Sequence, residues 1–482
     1  MRPDQWQSVQ SVQIADEYAG ADFGDARLTN RCVKAAKLLA AAPSASLPLM
    51  AASDTELAGI YRFMNNARVN PDAILEPHRQ ATIARAALHD EVLVLHDTSE
   101  IAFTGDRVGT GELSGPNDGF FAHPALVLTR DETHTPLGVV ACDLSVRRPK
   151  SERGPRKTYE YGPDNEHTRW ETNAASAHRS LAAVTDPIHV LDREGDAYLL
   201  LSRMTKDERR FVIRSNCDRE VDADEGKDAI RLSKALSDLP VIARREVVVS
   251  KRKKKAAPDA AKKHPPREGR SASLDISARR VILHRPRSAP KELPATIAVN
   301  VVLVVETNPP EECEPIEWRL LTTEPIDTEE QVLAIVDIYR ARWRIEEFFN
   351  ALKSGCKVEK RDFVDARALK NVFAMLLPVA WQMLLLRTLA RAAPDLPATQ
   401  ALSQVQLDVL IPACARLPPS QRPPPCPNVR QALLAVAALG GHLKRNGEPG
   451  WLTIARGFLR LREFTYGFLL GQRSRRRARG DV

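Results

Sequence analysis

The chain has 482 residues, of which 43% are hydrophobic and 27% charged, and its formal net charge is +8. This composition is ample for a buried core and predicts roughly two to four domains. The basic balance is compatible with a DNA partner, because cationic side chains displace counterions from the phosphate backbone, but it gives no sequence specificity.

Cysteine usage and apolar segments exclude several other classes. The seven cysteines are scattered without any Cys-x-x-Cys pair, which indicates reduced thiols and argues against a zinc site. The N-terminal segment MRPDQWQSVQ is not apolar, so we expect no signal peptide. The longest apolar segment, VFAMLLPVAWQMLLL, is too short to cross a bilayer and predicts a buried helix. We therefore expect a soluble, cytoplasmic protein with no membrane partner.

Residues 1 to about 70 are predicted to be helical. The segment VKAAKLLAAA indicates one helix, and another runs from about Asp54 to Asn66, opened by Ser53 or Asp54. Four basic side chains cluster toward one side of the first helix: Arg27, Arg31, Lys34 and Lys37. This pattern is typical of a solvated face, which is the interpretation that the sequence alone favours.

An aspartate follows the first strand predicted after these helices. Val92 to Leu95 form a continuous apolar run, typical of a strand buried on both faces, and Asp97 comes shortly after it. Strands of open α/β sheets deliver site residues at this end. An aspartate followed by Thr98 and Ser99 is also typical of a turn or a helix cap.

A second aspartate stands in the same kind of position. Ile188 to Leu191 predict a short strand that ends at Asp192, followed by a turn with Gly195 and a helix from Ala197 onward. Asp196 fits the cap of that helix, and Asp192 is itself compatible with a plain turn. A structural Ca²⁺ site is disfavoured because no segment has the spacing of a calcium loop.

The segment at about 219–325 predicts an inserted β-subdomain. Its patterns REVVVS, ASLDISARRVILHR, ATIAVNVVLVVE and EWRLLTT alternate or run apolar at strand spacing, and Trp318 lies where the chain returns to the sheet. Within it, residues 251–270 hold nine Lys or Arg against two acids. Such a block indicates a disordered loop, a contact with the DNA backbone, or both.

Four residues of the later segment IYRARWRIEEFFNALKSG carry the strongest pattern. On a helix with ~100° per residue, Tyr339, Arg342, Glu346 and Lys353 fall within an arc of ~60°. A carboxylate binds divalent metal ions, whereas cations and a phenol bind phosphate oxygens. A surface ion pair between Glu346 and Arg342 is the alternative. Asp97 and Asp192 upstream favour the functional interpretation.

Residues 381–482 are predicted to form a third, helical region. ALLAVAALGGHL and WLTIARGFLRLREFTYGFLLG indicate helices, and LPPSQRPPPCP indicates a linker. The second helix carries a broad apolar stripe, for packing within the subunit or for pairing subunits: Leu452, Ala455, Phe458, Leu459, Leu461 and Phe464. The basic tail RSRRRARGDV is expected to stay flexible unless DNA orders it.

Taken with these motifs, the chain resembles the DDE transposases of the insertion-sequence-four family, and closely the Tn-five type. The segments that carry the resemblance are GDARLTNR, GIYRFMNNARVNPDAI, VLVLHDTS, HVLDREGDAYLL, RFVIRSN, WRLLTTEPI and YRARWRIEEFFNALKSG. The resemblance implies an RNase H-like α/β catalytic core (71–380) that carries the β insertion. An N-terminal helical DNA-end-binding domain (1–70) and a C-terminal helical dimerisation domain (381–482) would flank it.

The resemblance also implies roles for individual residues. Asp97, Asp192 and Glu346 match the metal-binding triad. Tyr339, Arg342 and Lys353 match phosphate and backbone contacts, while Trp318 matches a tryptophan that packs against a flipped base. Arg214 and Arg193 match arginines near that distorted DNA end. The same likeness makes the basic side of the first helix a DNA contact and Tyr61 and Arg62 core or backbone-contacting residues.

By the same resemblance, the cofactor is two Mg²⁺ ions per site, for which Mn²⁺ substitutes, clamping the attacking and leaving oxygens ~3.5–4 Å apart. The reaction is nicking of transposon ends, a hairpin step and strand transfer into target DNA. A homodimer would hold two ends in one synaptic complex, in the bacterial cytoplasm at the nucleoid, with each subunit cutting the end that its partner holds.

Two other classes remain open on the sequence. A metal-dependent nuclease of the same fold would cut DNA without joining it. A DNA-binding protein without catalysis is disfavoured because Asp97, Asp192, Glu346 and the other three positions of the helical motif are intact. Terminal inverted repeats around the gene, with short target duplications outside them, would favour the transposase.

Overall fold

The computed structural model describes residues 14, 16–147, 168–223, 228–249, 268–311, 313, 315–443, 445 and 447–478, with side chains as far as Phe468. The basic stretch at 251–270 lies outside the described residues except for its last three. The chain divides into two compact units. Unit 1 comprises Met1–Arg153, Ala175–Asp186 and Trp343–Val482, and unit 2 comprises Gly154–Ala174 and Pro187–Arg342.

The described residues form a mixed α/β structure whose strands are mostly antiparallel. The helices are α1 (Ala26–Ala41), α2 (Leu47–Met50), α3 (Asp54–Met64), α4 (Pro71–Ala86), α5 (Thr168–Leu181), α6 (Tyr198–Lys206), α7 (Leu232–Ala235), α8 (Glu329–Ala341), α9 (Trp343–Asn350), α10 (Ala366–Ala392), α11 (Gln404–Ala413), α12 (Val429–Leu439) and α13 (Trp451–Ala478). The strands are β1 (Glu91–His96), β2 (Ser99–Ala102), β3 (Gly111–Glu112), β4 (Asp118–Thr129), β5 (Pro136–Ser145), β6 (Asp186–Leu191), β7 (Arg210–Arg214), β8 (Glu220–Asp222), β9 (Ile230–Arg231), β10 (Ala243–Val249), β11 (Arg270–His284), β12 (Thr296–Thr307) and β13 (Glu317–Thr322).

This architecture agrees with the predicted α/β class, while an RNase H-like core and the three-region division stay predictions. The predicted boundary between the catalytic core and the C-terminal domain, at residue 380, does not coincide with the end of a helix. Helix α10 runs unbroken across that residue.

Helix α3 begins where the sequence predicts, at Asp54 after its cap Ser53, whereas α1 begins at Ala26, ahead of the predicted segment VKAAKLLAAA. The Asp25 side chain accepts the Arg27 N–H at the start of α1, and the Ser53 hydroxyl accepts the Glu56 N–H at the start of α3. Both side chains satisfy helix-terminal N–H groups that have no partner within the helix. The predicted helices in this region are therefore confirmed.

A buried ion pair fixes the segment before α1 to the rest of unit 1. Both Glu17 oxygens accept from the Arg85 guanidinium, at 2.8 and 3.2 Å, and one also contacts Nδ1 of His78. Because the Val139 N–H donates to Nε2 of His78 at 3.0 Å, that ring carries its proton on Nδ1 and donates it to Glu17. The Arg85 guanidinium also lies 4.3 Å from the ring centroid of Trp381 on α10.

Burial shifts the ionisation of this network. Burial by itself raises the pKa of Glu17, but the hydrogen bonds and charges of His78 and Arg85 outweigh it and hold that pKa at about 2. Burial lowers the pKa of His78, so the ring stays neutral.

A second buried cation, Arg361, fixes the chain between α1 and α2. Its guanidinium donates to the backbone carbonyls of Ala45 at 2.6 Å and Cys356 at 2.7 Å, and also to that of Pro43. Burial lowers the pKa of Arg361 to about 10. Three carbonyl acceptors offset part of the cost of burying this charge.

The long apolar helix α10 is the core of unit 1. By length and composition alone it would pass for a membrane span, but 89% of its apolar window is buried inside the protein. The Tyr18 hydroxyl donates to its Met375 carbonyl at 2.6 Å, and the Asn371 amide donates to the carbonyls of Met64 and Val69. The prediction of a buried helix is therefore confirmed.

Strand β4 organises the sheet of unit 1. It pairs antiparallel with β1 and β2, which follow one another along the chain, and also with β3 and β5. In unit 2, β6 and β7 are parallel, and β7, β13, β12 and β11 continue as antiparallel neighbours, with β8 and β10 also pairing with β11. The strands predicted in the inserted segment are confirmed.

The C-terminal helices of unit 1 pack on one another. Ala455 is wholly buried on α13, and Leu461, buried on the same helix, joins a core cluster from α11 and α12, with Phe458 and Phe464 against its edge. This part of the apolar stripe packs within the chain, and pairing of subunits stays a prediction. The backbone remains helical to Ala478, so the expected flexible tail beginning at 473 is wrong for that stretch.

Substitution Glu17→Gln should destabilise unit 1 by about 3 kcal/mol at pH 7, because it leaves the buried Arg85 charge without its carboxylate. The folded-state pKa of Glu17 is about 2, against 4.5 for a free glutamate. Its contribution is therefore complete above about pH 4.5 and is lost as the pH falls toward 2. Urea unfolding followed by circular dichroism measures the free energy of unfolding. As the pH falls from about 4.5 to 2, this free energy should fall less in the variant than in wild type.

The matched control is Glu76→Gln on α4, where an exposed carboxylate pairs with Arg79 in a surface bridge. Such a pair contributes at most about 1 kcal/mol. Equal destabilisation by the two substitutions would contradict the role of Glu17.

Candidate active site and DNA interface

Asp97 lies at a break between two strands of unit 1. His96 is opposite Ala125 and Ser99 is opposite Ala122, so the register sets Asp97 opposite Pro124 of β4. Proline has no backbone N–H to donate, which favours an interrupted ladder at this point. The Asp97 Oδ1 accepts the Thr98 N–H at 2.8 Å, and the side chain is half-buried. Asp97 therefore follows its strand as predicted.

Two buried histidines lie beside this turn. A hydrogen bond of 2.8 Å joins the Thr98 Oγ1 to Nδ1 of His123, and the His123 ring stacks on His96 with 5.8 Å between ring centroids. Both rings are fully buried, and burial lowers the pKa of His96 to about 3, so His96 is neutral. The sequence interpretation missed His123; its signal is a polar residue inside the apolar run FFAHPALVLT.

Asp192 directly follows β6 in unit 2, as predicted. Its Oδ1 accepts the Glu194 N–H at 2.8 Å and so caps a short 3₁₀ turn, Arg193–Gly195. A Cβ at Gly195 would lie 2.9 Å from the Leu191 side chain, so the tight turn needs glycine there. The carboxylate is half-buried and Arg193 is exposed.

The prediction that Asp196 caps the following helix is wrong. Helix α6 has Ala197 at its N-cap, without a side-chain hydrogen bond. Asp196 is instead buried against Arg219, and its Oδ2 accepts from the Asn216 and Cys217 N–H groups at 2.7 and 3.0 Å. It therefore shapes the loop after β7, which a local cap pattern does not reveal.

The predicted helix that carries the Tyr-Arg-Glu-Lys motif stays helical through α8 and α9, because the backbone at Arg342 between them has φ −50° and ψ −32°. Helix α8 ends at Ala341 with Arg342 as its C-cap, and α9 begins at Trp343. A π-helical turn then covers Ala351–Gly355. Lys353 lies in this wider turn, so its direction no longer follows ~100° per residue. The unit boundary also falls here, with Tyr339 and Arg342 in unit 2 and the other two positions in unit 1.

Unit 2 brings several of the predicted DNA contacts together. The edge of the Trp318 ring meets the Tyr339 ring, with 5.2 Å between centroids and an interplanar angle of 65°. Arg214, at the end of β7, donates to the Glu317 carbonyl at 2.9 Å, and its positive charge acts on the Tyr339 phenol. The Trp318 side chain is half-buried, so part of it is accessible to solvent.

The charges of this cluster favour an anion. Burial lowers the pKa of Arg214, and the positive charges of Arg193 and Arg342 lower it further. Burial raises the pKa of the Tyr339 phenol, while Arg342 and Arg214 oppose that shift and Asp192 adds to it. The guanidinium groups of Arg193 and Arg342 thus act on that of Arg214, and the Asp192 carboxylate acts on the Tyr339 phenol beside them. A phosphate oxygen would relieve the repulsion between the guanidinium groups.

Glu346 and Lys353 lie in unit 1, on α9 and in the π turn. Glu346 is half-buried. The carboxylate next to it, Glu347, accepts from Arg344 at 2.7 Å and from Arg391 of α10 at 3.0 Å, which fixes α9 on α10. The Lys353 ammonium lies 3.7 Å from Glu359, whose Oε1 also accepts the Ala102 N–H of β2 at 3.3 Å.

The three predicted metal ligands are divided between the units, Asp97 and Glu346 in unit 1 and Asp192 in unit 2. Across the described residues, no three side chains of His, Cys, Asp or Glu lie close enough to bind a metal ion together. The chemistry of the predicted donor set nevertheless fits a hard divalent ion, since all three groups are half-buried carboxylates.

The basic side of α1 is accessible. The Arg27 side chain is 89% exposed, Lys34 and Lys37 are exposed, and Arg31 is half-buried. The opposite side buries Leu28, Cys32, Ala35, Ala36 and Leu39. Tyr61 of α3 packs against the Phe363 ring at 5.3 Å, and Arg62 is exposed. The charges therefore point to solvent while the apolar side builds the core.

Two family models match the chain. The model described as transposase DNA-binding covers residues 13–69, and the model described as transposase DDE domain covers residues 164–380. Among solved structures, a piggyBac transposase synaptic complex with hairpin DNA is similar, at 9% sequence identity and a TM-score of 0.32. The match covers 80% of this chain and 75% of that one.

The two family domains define a DNA-binding transposase. Its catalytic domain is of the DDE type, so the protein is an enzyme of the DDE transposase class. Transposases with this domain generally use divalent metal ions, and DNA is their partner.

Substitution Tyr339→Phe should cost less than about 1 kcal/mol of folding free energy, because it removes only the hydroxyl and keeps the ring against Trp318. Tyr339→Ala should cost about 3 kcal/mol, because it leaves a cavity beside that ring. Urea unfolding gives both values. Equal losses for the two variants would mean that the ring does not pack as described.

Proposed function

We propose that the protein is a cut-and-paste DNA transposase of the insertion-sequence-four, Tn-five type. It would bind transposon ends, nick them to leave a 3′-OH, resolve a hairpin and join the ends to target DNA. The observation that carries this proposal is the cluster in unit 2, where Asp192 ends a strand beside Arg193, Arg214, Tyr339 and Arg342.

Asp97, Asp192 and Glu346 would hold two Mg²⁺ ions, with Mn²⁺ as a substitute. When bound, such ions activate the attacking water or 3′-OH and stabilise charge on the leaving oxygen. The fixed Oδ1 contacts of Asp97 with Thr98 and of Asp192 with Glu194 support this role, because each holds its carboxylate in one orientation.

The other residues would grip the DNA. Arg214, Arg342 and the Tyr339 hydroxyl would bind phosphate oxygens near the cleaved end, with Arg193 close by. Their guanidinium groups stabilise anionic charge without moving a proton. The half-buried Trp318 ring offers a face for stacking a flipped base, and Lys353 would contact the backbone. On α1, Arg27, Arg31, Lys34 and Lys37 would contact the transposon end.

We also infer an RNase H-like catalytic core and a homodimer that joins two ends in a synaptic complex. The protein would act in the bacterial cytoplasm at the nucleoid. The DDE domain and the α/β architecture support the inferred catalytic core, and the separate DNA-binding domain supports the DNA partner.

The test uses a plasmid that carries the inverted repeats flanking the gene. Asp97→Ala, Asp192→Ala and Glu346→Ala should each lower the rate of end cleavage in Mg²⁺ by at least about a thousandfold, which corresponds to about 4 kcal/mol of transition-state stabilisation. The matched controls, Asp90→Ala and Asp186→Ala, stand before β1 and at the start of β6, at the opposite ends of the two strands. They should cleave like wild type.

Joining distinguishes a transposase from a nuclease of the same fold. Supplied with precut ends and a supercoiled target plasmid, wild type should give strand-transfer products. Cleavage without any joined product would favour the nuclease. Absence of end-specific cleavage by wild type, or wild-type rates for the triad variants, would defeat the proposal.

Mixed subunits test the dimer. An Arg27→Ala/Lys34→Ala variant weakened in end binding is mixed with the Glu346→Ala variant. If each subunit cuts the end that its partner holds, the mixture should recover cleavage of one end, because one subunit supplies the binding domain and the other the catalytic carboxylates. Recovery should be absent if each subunit cuts its own end, and electrophoresis of end-labelled DNA separates these results.

A further inference from the structure

We propose that His123 and Thr98 are positioning residues for the catalytic Asp97, acting through the turn that joins β1 to β2. This inference rests on the proposed function, which makes Asp97 a metal ligand. The sequence motifs name the carboxylate alone, whereas the structure adds a buried ring from the neighbouring strand that contacts the residues on both sides of it.

The ladder does not hold this turn. The register pairs β4 with His96 and earlier residues, and then with Ser99 and later residues. Asp97 and Thr98 lie between the two paired runs, opposite Pro124 and His123. Their orientation therefore depends on side-chain contacts rather than on backbone pairing.

His123 supplies contacts on both sides of Asp97. Its Nδ1 is hydrogen-bonded to the Thr98 Oγ1 at 2.8 Å, and its ring stacks on His96 with an interplanar angle of 29°. The Thr98 N–H then donates to the Asp97 Oδ1 at 2.8 Å. A chain of contacts thus runs from a fully buried ring to the carboxylate.

Burying an imidazole at position 123 costs folding free energy that burying a leucine there would not cost. His123 is wholly buried in a strand whose neighbours are apolar, and an unpaired polar group there would be destabilising. The hydrogen bond to Thr98 offsets that cost and rigidifies the turn. Groups that orient a metal ligand in this way typically change metal affinity or activity about 10–100-fold when they are removed.

The test compares nearly isosteric substitutions in the full-length protein. Thr98→Val removes the hydroxyl and keeps the branched shape, whereas Thr98→Ser keeps the hydroxyl. His123→Phe keeps a stacking ring without nitrogen, whereas His123→Asn keeps a polar group near Nδ1. The matched control is Thr110→Val, which removes a hydroxyl bonded to the Arg107 carbonyl at 2.9 Å in the same unit.

Two readouts are needed, one of them independent of catalysis. The first is Mn²⁺ binding to the protein alone, by electron paramagnetic resonance. The second is the Mg²⁺ concentration that gives half-maximal end cleavage. Thr98→Val and His123→Phe should weaken Mn²⁺ binding and raise that Mg²⁺ concentration about tenfold or more. Thr98→Ser, His123→Asn and Thr110→Val should stay within about threefold of wild type.

The outcomes separate this inference from the proposed function. Normal Mn²⁺ binding and Mg²⁺ dependence in Thr98→Val and His123→Phe, with Asp97→Ala inactive, would overturn the positioning role alone. If Asp97→Ala itself cleaves ends and binds Mn²⁺ like wild type, the proposed site is wrong. Losses in Thr98→Val that match a fall in melting temperature equally large in Thr110→Val would indicate general destabilisation and would also overturn the role.

Discussion

The buried carboxylate of Glu17 is the constraint on which the N-terminal half of unit 1 depends. It compensates the Arg85 charge and accepts a hydrogen bond from Nδ1 of His78, and the Arg85 guanidinium lies over Trp381 of the core helix α10. The Met375 carbonyl of helix α10 in turn accepts a hydrogen bond from the Tyr18 hydroxyl. The family match to a DNA-binding domain covers 13–69, so it includes Glu17 and Tyr18. The part of the chain expected to hold DNA is thus joined to the core by polar contacts that tolerate few substitutions.

The polar groups of unit 2 are of two kinds. Some pair with one another and stabilise the fold, and others place positive charges close together. Asp196 and Arg219 satisfy one another and the loop after β7. Arg193 and Arg342, in contrast, act on Arg214, and Asp192 is the carboxylate that acts on Tyr339. Cations held close together do not stabilise the fold. They do stabilise a bound phosphodiester, which is an anion. Strand ends and one helix terminus supply these groups, so rigid elements set their spacing.

Sequence patterns were sufficient for elements whose signal is local. Apolar runs located β1, β6 and the strands of the insertion, and a cap residue located the start of α3. Local patterns failed where a distant partner decides. Asp196 has a cap pattern but bonds residues about twenty positions away. The role of His123 follows only from the register of β4 with β1 and β2. The π turn at Ala351–Gly355 was not predicted because the helical periodicity of the sequence continues into it.

The π turn at Ala351–Gly355 has a consequence for how such enzymes diverge. Its closing bond, from the Cys356 N–H to the Ala351 carbonyl at 2.7 Å, spans one residue more than an α-helical turn. Loss of one residue there would restore a regular helix and rotate Lys353 by about 100° without displacing Glu346. Segment length, and not only side-chain identity, therefore becomes a heritable variable. Insertions and deletions in this turn can change the direction of the Lys353 side chain while Glu346 is selected separately.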